Sequence, residues 1–467
     1  MMFKSINPAT GETLAEFPPH DAAAIEERIA RAHAAAPAWR RTPVEHRADV
    51  VRHLGHLLES DKERLGRMMT LEMGKPITAA IEEAAKCATA CAYYADHGPA
   101  MVADQHVDDE GHRSFVAYDP LGVVLAVMPW NFPLWQAFRF IAPALVAGNV
   151  GLLKHASNVP QCALEIEALC RRAGAPDGVF QTLLIGSDAV ASVLADPRVA
   201  AATLTGSEGA GRSMAATAGT HLKPMVLELG GSDPFIVMPS AAVDRAIAAA
   251  VKARTINNGQ SCIAAKRFIV HRDIADRFVD GFTKGMLALT VGDPMAPDTM
   301  LGPLATPKLA EELEAQVAKS VAMGARLVCG GTREAAGSAW FPATVLTDIP
   351  ESAPAWTEEL FGPVGCIFVA RDLDDALRIA NGTRFGLGAS AWTDDVQEQE
   401  RFAREIDAGS VFINDTVVSD PRFPFGGVKS SGYGRELSDL GLRAFTNIKT
   451  VRMRVAAGGT SRPGGTE

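Results

Sequence analysis

The chain has 467 residues and a formal net charge of −10, with 47% hydrophobic and 21% charged residues. This composition is typical of a packed globular protein and excludes a disordered one, and the length predicts two or three domains. The acidic balance, with no local cluster of Lys and Arg to reverse it, argues against nucleic acid as a partner.

Cysteine usage and apolar segments indicate the cellular setting. The seven cysteines include no CxxC pair, which argues against a disulfide framework or a zinc site and favours a reducing compartment. The first 17 residues lack a long apolar segment behind a basic start, and prolines and Arg139 interrupt the apolar stretch 122–153. We therefore predict a cytoplasmic enzyme with no membrane partner and no bound metal, in which 122–153 forms buried core and cleft lining.

The predicted elements fall into two regions with different sequence patterns. Residues 21–97 are rich in Ala, Glu, Arg and Leu and predict helices, with breaks near Pro37, Pro43 and 74–76, and residues 106–120 predict an extended segment. From residue 121, short apolar runs alternate with helical ones, which predicts a mainly parallel sheet with helices on both faces. A second α/β unit is predicted to begin near Ser232 and Asp233. The Gly-, Ser- and Pro-rich residues 456–467 predict a flexible tail.

A glycine-rich turn is the first candidate binding motif. The GxGxxG fingerprint is absent, but GSEGAG over 206–211 follows a predicted strand and opens a predicted helix. Free N–H groups and the helix dipole at that position favour a phosphate. An ordinary βα turn explains the same glycines equally well.

Three other side chains are candidates for catalysis. Cys262 lies in a polar, glycine-containing turn (NNGQSC), which exposes the thiol as a possible nucleophile; the other cysteines lie in helical or apolar contexts. Glu228 ends an apolar strand before two glycines, where partial burial would raise its pKa towards general-base values. Asn131, between two prolines in PWNFP, could donate to an oxyanion. A core cysteine, a solvated glutamate and a turn-forming asparagine are the structural alternatives.

Several motifs in register resemble the aldehyde dehydrogenase superfamily: PWNFP, the Lys154 segment, LTGSEGAG, LELGG, GQSC, EELFGP and PFGGVKSSGYGRE. They span about residues 120–440. The resemblance implies that Cys262 attacks the aldehyde carbonyl and that Asn131 and the Cys262 N–H hold the oxyanion. Hydride then passes to a nicotinamide cofactor, and Glu228 activates the water that hydrolyses the thioester. Glu436 matches a second glutamate proposed to relay protons, although a salt bridge at a helix start is an equal alternative.

The resemblance also implies a fold and a set of cofactor contacts. The expected fold is α/β, with two Rossmann-type parallel-sheet domains and a small β oligomerisation arm. The expected bounds are 1–99 with 121–230 for the cofactor-binding domain, 231–436 for the catalytic domain, and 100–120 with 443–455 for the arm of a homodimer or homotetramer. The implied cofactor-binding residues are Trp130, Lys154, His155, Ala156, Ser157, Gly206, Ser207, Leu229, Glu359 and Phe361.

Ser157 bears on which nicotinamide is used. Many relatives carry a glutamate three positions after the Lys154 equivalent, where it binds the adenosine ribose and repels a 2′-phosphate. The neutral Ser157, with Lys154 and His155 nearby, should admit NADP. We therefore expect NADP or dual use with NAD.

Arg139 bears most directly on the substrate. It lies eight positions after Asn131, where succinate-semialdehyde dehydrogenases carry an arginine that binds the distal carboxylate, a task suited to bidentate hydrogen bonds. Ser419, in SDPRFPFGG, offers a second polar contact. The second arginine of another group of these enzymes is replaced by Ile256, so a broader range remains open, and a structural ion pair is the alternative role for Arg139.

The preferred prediction is NAD(P)-dependent oxidation of succinate semialdehyde or a similar ω-carboxy aldehyde. A broad-specificity aldehyde dehydrogenase without carboxylate selectivity is one alternative. A CoA-acylating enzyme is another, but relatives of that kind often lack the LELGG glutamate, which is present here as Glu228. A non-enzymatic relative would be expected to have lost Cys262 or Glu228.

Overall fold

A computed structural model describes residues 2–454, and the predicted tail 456–467 lies outside the described residues. The chain begins with a hairpin and four helices: β1 (Phe3–Ile6), β2 (Thr13–Phe17), α1 (Ala22–Arg41), α2 (Val44–Ser60), α3 (Lys62–Met73) and α4 (Ile77–Met101). The predicted helical character of 21–97 is confirmed. Pro43 precedes α2, and Gly74 ends α3 at φ 81°, a left-handed conformation that glycine adopts without strain.

The predicted break at Pro37 is wrong, because α1 continues through this proline to Arg41. A proline inside a helix removes one backbone hydrogen bond and does not forbid the remaining turns when packing holds them. Trp39 supplies that packing. Its ring is buried, and its Nε1 donates to the carbonyl oxygen of Leu145 at 3.2 Å.

The first large sheet follows two strands of a separate small sheet. The elements are β3 (Gln105–Val107), β4 (His112–Pro120), β5 (Val123–Met128), α5 (Trp135–Ala147), β6 (Val150–His155), α6 (Pro160–Arg172), β7 (Phe180–Thr182), α7 (Val190–Ala195), β8 (Val199–Thr205), α8 (Glu208–Thr220) and β9 (Met225–Glu228). Strands β9, β8, β5, β6 and β7 are parallel in that order. Their side chains are mostly buried, as expected where helices cover both faces of a sheet.

The second large sheet is built by the next part of the chain. Its elements are β10 (Pro234–Val237), α9 (Val243–Thr255), β11 (Arg267–His271), α10 (Ala275–Leu287), α11 (Pro307–Ala322), β12 (Arg326–Cys329), β13 (Thr344–Thr347), α12 (Pro354–Thr357), β14 (Val364–Ala370), α13 (Leu373–Asn381), β15 (Gly388–Trp392), α14 (Val396–Glu405) and β16 (Ser410–Ile413). The order is β12-β13-β14-β11-β10-β15-β16, and only β12 runs antiparallel to its neighbour. The predicted α/β class with parallel sheets is confirmed.

The last described elements return to the sheets formed earlier: β17 (Gly432–Tyr433), α15 (Ser438–Arg443) and β18 (Thr446–Arg454). Strand β17 adds to the first sheet, antiparallel to β9. Strand β18 pairs with β4 over nine residues and forms the edge of the small sheet β18-β4-β3. None of the described helices has the length and apolarity that crossing a membrane requires.

Candidate active site

The carboxyl ends of the parallel strands in the first sheet carry most of the predicted site. Asn131 follows β5, Lys154 lies near the end of β6, Gly206 follows β8, and Glu228 is the last residue of β9. Because parallel strands end at one edge of their sheet, residues far apart in sequence meet there, and ligands bind at such edges. The geometry brings together the side chains that the motifs singled out.

Residues 257–266, here termed the nucleophile loop, connect α9 to β11 and carry Cys262. Asn257, Asn258 and Gly259 have φ values of 54°, 57° and 74°, so the chain turns sharply through the left-handed region. The Asn258 side chain holds this turn. It donates to the carbonyls of Gly74 and Pro303 at 3.0 and 2.9 Å and accepts from the N–H of Gly302 at 2.9 Å.

The buried ammonium of Lys266 fixes the segment around the thiol. Its Nζ donates to the carbonyl oxygens of Ser261 and Cys262, both at 2.8 Å, and of Ala264 at 3.1 Å. It also pairs with Oε1 of Glu359 at 3.1 Å. The ammonium of Lys266 thus binds three carbonyl oxygens of the nucleophile loop and links this loop to Glu359, which follows α12.

Cys262 is half-buried and lines an open cavity of about 160 Å³. The lining is Ala79, Glu82, Glu83, Lys86, Phe132, Trp135, Gln136, Arg139, Ile256, Asn257, Ser261, Cys262, Ile263, Val417, Val418, Ser419 and Phe425. Burial raises the pKa of the thiol to about 12, against the opposing charges of Arg139 and Lys266. In this state the sulfur is held as a thiol, and a reaction must remove its proton as the sulfur attacks.

Asn131 lies beside the nucleophile loop and is not part of the cavity lining itself. Its Nδ2 donates to the carbonyl of Gln260 at 3.1 Å, and its backbone carbonyl accepts from Asn257 Nδ2 at 2.7 Å. The buried Oδ1 has no hydrogen-bond partner among the described residues. An amide nitrogen carries two hydrogens, so the contact with Gln260 leaves one for a ligand.

Glu228 and Glu436 form a buried carboxylate pair with Arg139. Burial raises the pKa of both carboxyl groups; the charge of Glu436 raises that of Glu228 further, and Arg139 opposes the rise in both. Both oxygens of Glu228 lack a hydrogen-bond partner within residues 2–454. A Cβ atom on Gly426 would lie only 2.5 Å from Glu228 Oε1, so glycine at 426 makes room for this carboxylate.

Arg139 is buried on α5 and already has protein partners. Its Nε lies 2.8 Å from Glu436 Oε2, and its Nη2 donates to Thr205 Oγ1 at 3.4 Å. The guanidinium carbon lies 4.6 Å from the centre of the Phe425 ring. Within the described chain, Nη2 makes the one hydrogen bond of this guanidinium, and Nε contacts Glu436 as an ion pair without hydrogen-bond geometry. The structural ion pair weighed as the alternative role is therefore present, although the side chain also lines the cavity.

Lys86, on α4, is a second cation in the cavity that the sequence analysis missed. Its Nζ donates to Ser419 Oγ at 2.8 Å and lies 4.3 Å from the centre of the Trp135 ring. Ser419 also accepts from Trp135 Nε1 at 3.0 Å, so the predicted substrate residue Ser419 belongs to a polar cluster. No sequence motif surrounds Lys86, and its contact spans 333 positions along the chain, so no local signal could have revealed it.

A separate cleft at the end of β6 carries the predicted cofactor residues Lys154 and Ser157 in its lining. Ser157 is exposed, and burial lowers the pKa of Lys154. At the start of α8, Ser207 caps the helix by accepting from the N–H of Ala210 at 3.4 Å. The N–H groups of Glu208 and Gly209 have no acceptor in the described chain, as a phosphate site requires.

The other predicted cofactor residues are placed as follows. Trp130 and Phe361 pack edge to face, with ring centres 5.8 Å apart. Leu229 is buried against Gly211 of α8, and the Glu359 carboxylate accepts from the N–H of Gly231 at 3.2 Å. Ala156 directly follows β6, is partly buried and does not line the cleft that contains Lys154 and Ser157.

The side chain of His155, expected near the 2′-phosphate, is buried and carries no charge there. The ring is buried, with Nε2 2.8 Å from the carbonyl of Pro133 and Nδ1 accepting from the N–H of Ala156 at 2.9 Å. Burial lowers the pKa of His155 to about 4, so the ring is neutral. Lys154 is left as the cation at this position, and contact of His155 with a cofactor through its backbone remains a prediction.

Among residues 2–454, no group of three or more His, Cys, Asp or Glu side chains is arranged to hold a metal ion.

Comparison with known proteins gives a consistent result. The chain matches the aldehyde dehydrogenase family over residues 1–451. It is 56% identical over 454 residues to an NADP⁺ succinate-semialdehyde dehydrogenase of Mycobacterium tuberculosis, covering 97% of this chain and 99% of the relative. A Mycobacterium avium protein of the same name is also 56% identical, with coverage of 97% and 96%. The crystal structure of a Streptococcus pyogenes succinic semialdehyde dehydrogenase in complex with NADP⁺ superimposes with a TM-score of 0.94 at 35% identity, covering 97% and 100% of the two chains.

Proposed function

The chain belongs to the aldehyde dehydrogenase family, and we propose that it oxidises succinate semialdehyde to succinate with NADP⁺ as the hydride acceptor. One observation carries the proposal. A single cavity contains the Cys262 thiol together with Arg139 and Ser419, so it offers a nucleophile for the aldehyde and a cationic, hydrogen-bonding wall for a carboxylate.

The first chemical step uses the nucleophile loop. The Cys262 thiol gives its proton to water at the open side of the cavity, Sγ attacks the aldehyde carbon, and the carbonyl oxygen becomes an oxyanion. The free hydrogen on Asn131 Nδ2 and the Cys262 N–H are the donors for it. The hydrogen bonds of Lys266 to the loop carbonyls hold that N–H in place before the substrate arrives. When bound, NADP⁺ accepts the hydride, which leaves a thioester on Cys262.

The second step releases the acid. Glu228 accepts a proton from water, and the resulting hydroxide attacks the thioester carbonyl and expels the Cys262 thiolate. The raised pKa of Glu228 makes its carboxylate a stronger base than an exposed glutamate. Glu436 lies beside it and carries protons away from this buried position. Because Glu228 is present to activate water, water is favoured over coenzyme A as the acceptor of the acyl group.

The residues present fit NADP⁺. The free N–H groups at the start of α8 suit a diphosphate, and a side chain added at Gly209 would meet no other atom within 4 Å. Lys154 and the exposed Ser157 would bind the 2′-phosphate, because no carboxylate stands at position 157 to repel it. Trp130, Leu229 and Phe361 would line the nicotinamide side, with Glu359 at its ribose. We expect NAD⁺ to be used as well, less efficiently, since it lacks the charge that Lys154 recognises.

The test is a set of initial rates with succinate semialdehyde and butanal, each with NADP⁺ and NAD⁺. We expect kcat/KM to be highest for succinate semialdehyde with NADP⁺. Ser157→Glu should shift the cofactor preference towards NAD⁺ by about 10- to 100-fold, since it places a like charge beside the 2′-phosphate. Ser192→Glu, on the exposed face of α7, is the matched control. Equal kcat/KM for butanal and succinate semialdehyde would overturn the proposed substrate.

The unpaired edge of the small sheet suggests how the protein assembles. Strand β18 leaves one edge unpaired within the described chain, and edges of this kind accept a strand from another chain. We infer a homodimer or homotetramer joined through this arm, working in the cytoplasm on a small aldehyde.

A further inference from the structure

Only some of the N–H donors of Arg139 are available to a substrate carboxylate in the free enzyme. Glu436 pairs with its Nε at 2.8 Å, and Thr205 accepts from its Nη2. A side-on bidentate contact through Nε and Nη2 would disturb the ion pair with Glu436, whereas an end-on contact through Nη1 and Nη2 would leave it in place. Breaking a buried pair leaves an uncompensated charge, which costs free energy.

Lys86 stands in the same cavity without such a commitment. No carboxylate among residues 2–454 pairs with its Nζ, whose contacts are Ser419 Oγ and the face of the Trp135 ring. The neighbouring Glu83 on α4 is engaged elsewhere, with Lys75 and with the N–H groups of Leu134 and Trp135. Burial lowers the pKa of Lys86 to about 8; the charge of Arg139 lowers it further, and the more distant charges of Glu83 and Asp420 oppose the shift.

Ser419 is arranged to assist the same ligand. Its Oγ accepts hydrogen bonds from Lys86 and from Trp135 Nε1, at 2.8 and 3.0 Å. A hydroxyl has two lone pairs and one hydrogen, so with both lone pairs used the hydrogen is free to be donated. An ammonium and a hydroxyl donor side by side match the oxygens of a carboxylate.

We propose that Lys86, together with Ser419, is a second anchor of the substrate's distal carboxylate beside Arg139, which also holds Glu436 through its ion pair. This inference rests on the proposed function and names a specificity-determining residue for it. A carboxylate beside Lys86 gives the ammonium the counter-ion it lacks, and the Trp135 ring below the ammonium keeps water from one face of the pair.

The experiment compares kcat and KM for succinate semialdehyde and for butanal, which has the same number of carbons and no carboxylate. Lys86→Met keeps the length of the side chain and removes its charge, and Lys86→Arg retains a charge. Lys308→Met, at the exposed start of α11, is the matched control. Inhibition by the product succinate, measured with butanal as substrate, reports carboxylate binding separately from turnover.

We expect Lys86→Met to raise KM for succinate semialdehyde and Ki for succinate by about 10- to 100-fold, the size of a lost charge-assisted hydrogen bond. The effect on kcat should be small, and Lys86→Arg should recover most of the loss. Arg139→Met should instead lower kcat for both aldehydes, because it leaves Glu436 without its cation. If Lys86→Met does not yield folded protein, Lys86→Gln serves in its place.

Two failures are distinguishable. A wild-type enzyme that shows no preference for succinate semialdehyde over butanal overturns the proposed function. A selective wild type whose Lys86→Met variant stays selective, while Arg139→Met loses selectivity with butanal turnover intact, overturns only the role given to Lys86.

Discussion

At the scale of single residues, the buried carboxylates determine how the chemistry responds to pH. Glu228 works as a base only when ionised, and burial together with Glu436 raises its pKa. Its ionised fraction therefore increases with pH over a range that lies above the usual range of a glutamate. The Cys262 thiol, with a pKa of about 12, changes in the same direction. Both groups favour activity on the alkaline side.

The first prediction concerns this dependence. We expect kcat of the wild type to rise with pH across the neutral and mildly alkaline range. Glu228→Gln should lower kcat by about 100- to 10,000-fold, because no base remains to activate water. Stopped-flow absorbance should then show a burst of reduced cofactor of at most one equivalent per subunit, and mass spectrometry should show an acyl group on Cys262. Glu311→Gln on the exposed face of α11 is the control. A Glu228→Gln variant with neither a burst nor a slower turnover would remove Glu228 from the mechanism.

Which single residues can be read from the sequence depends on how local their signals are. Cys262, Glu228 and Asn131 stand in short motifs whose turn chemistry indicates exposure or strand ends. The pairing of Arg139 with Glu436 joins positions almost 300 residues apart, and no motif describes it. Lys86 lies in AIEEAAKCATACAYY, a stretch typical of any amphipathic helix. Only the packing of α4 against the substrate cavity gives that lysine a function.

At the scale of elements, the nucleophile loop depends on a single internal cation. Lys266 is buried and satisfies three carbonyl oxygens and the Glu359 carboxylate. Removing the ammonium would leave the three carbonyls without this donor and the Glu359 carboxylate, which is 20% exposed, without its counter-ion.

We predict that Lys266→Met lowers the free energy of unfolding by about 3–5 kcal/mol, the usual cost of breaking a buried ion pair. It should also lower kcat for every aldehyde, since the Cys262 N–H would lose its fixed position. Urea denaturation followed by tryptophan fluorescence measures the first effect, and steady-state rates the second. Lys284→Met, which removes an exposed ion pair on α10, should change neither. Wild-type stability in the Lys266 variant would contradict this account of the loop.

The elements differ in how well their sequences indicate them. The alternation of apolar and helical segments after residue 121 is strong, because each buried parallel strand is apolar along its whole length. The break predicted at Pro37 failed, since the contacts that hold the end of α1 come from residues a hundred positions away. Strand β17 has only two residues, and its pairing with β9 defines it. A segment this short has no periodic pattern from which a strand could be predicted.

At the scale of the whole molecule, the small sheet is the feature that we propose to join one subunit to another. Strand β18 is paired on one side only, and the apolar side chain of Ile448 is 64% exposed. An exposed edge with apolar side chains is stable in water only if something covers it.

We predict that Ile448→Asp shifts the protein towards smaller species in size-exclusion chromatography with light scattering. A charge in the centre of a strand-to-strand contact would lose solvation without gaining a partner. Val396→Asp is the matched control, because Val396 is 74% exposed at the start of α14. If the Ile448 variant keeps the wild-type mass at every concentration tested, the arm is not the contact that joins the subunits.

The two cations in the substrate cavity also determine what the enzyme leaves untouched. An aldehyde with an amine at its far end carries a positive charge at neutral pH, and it would bring that charge against Lys86 and Arg139, which line the same cavity. Repulsion of this kind discriminates more strongly than a difference of one methylene in chain length. The protein would therefore oxidise acidic aldehydes in a mixture while leaving amino aldehydes of the same length for other enzymes.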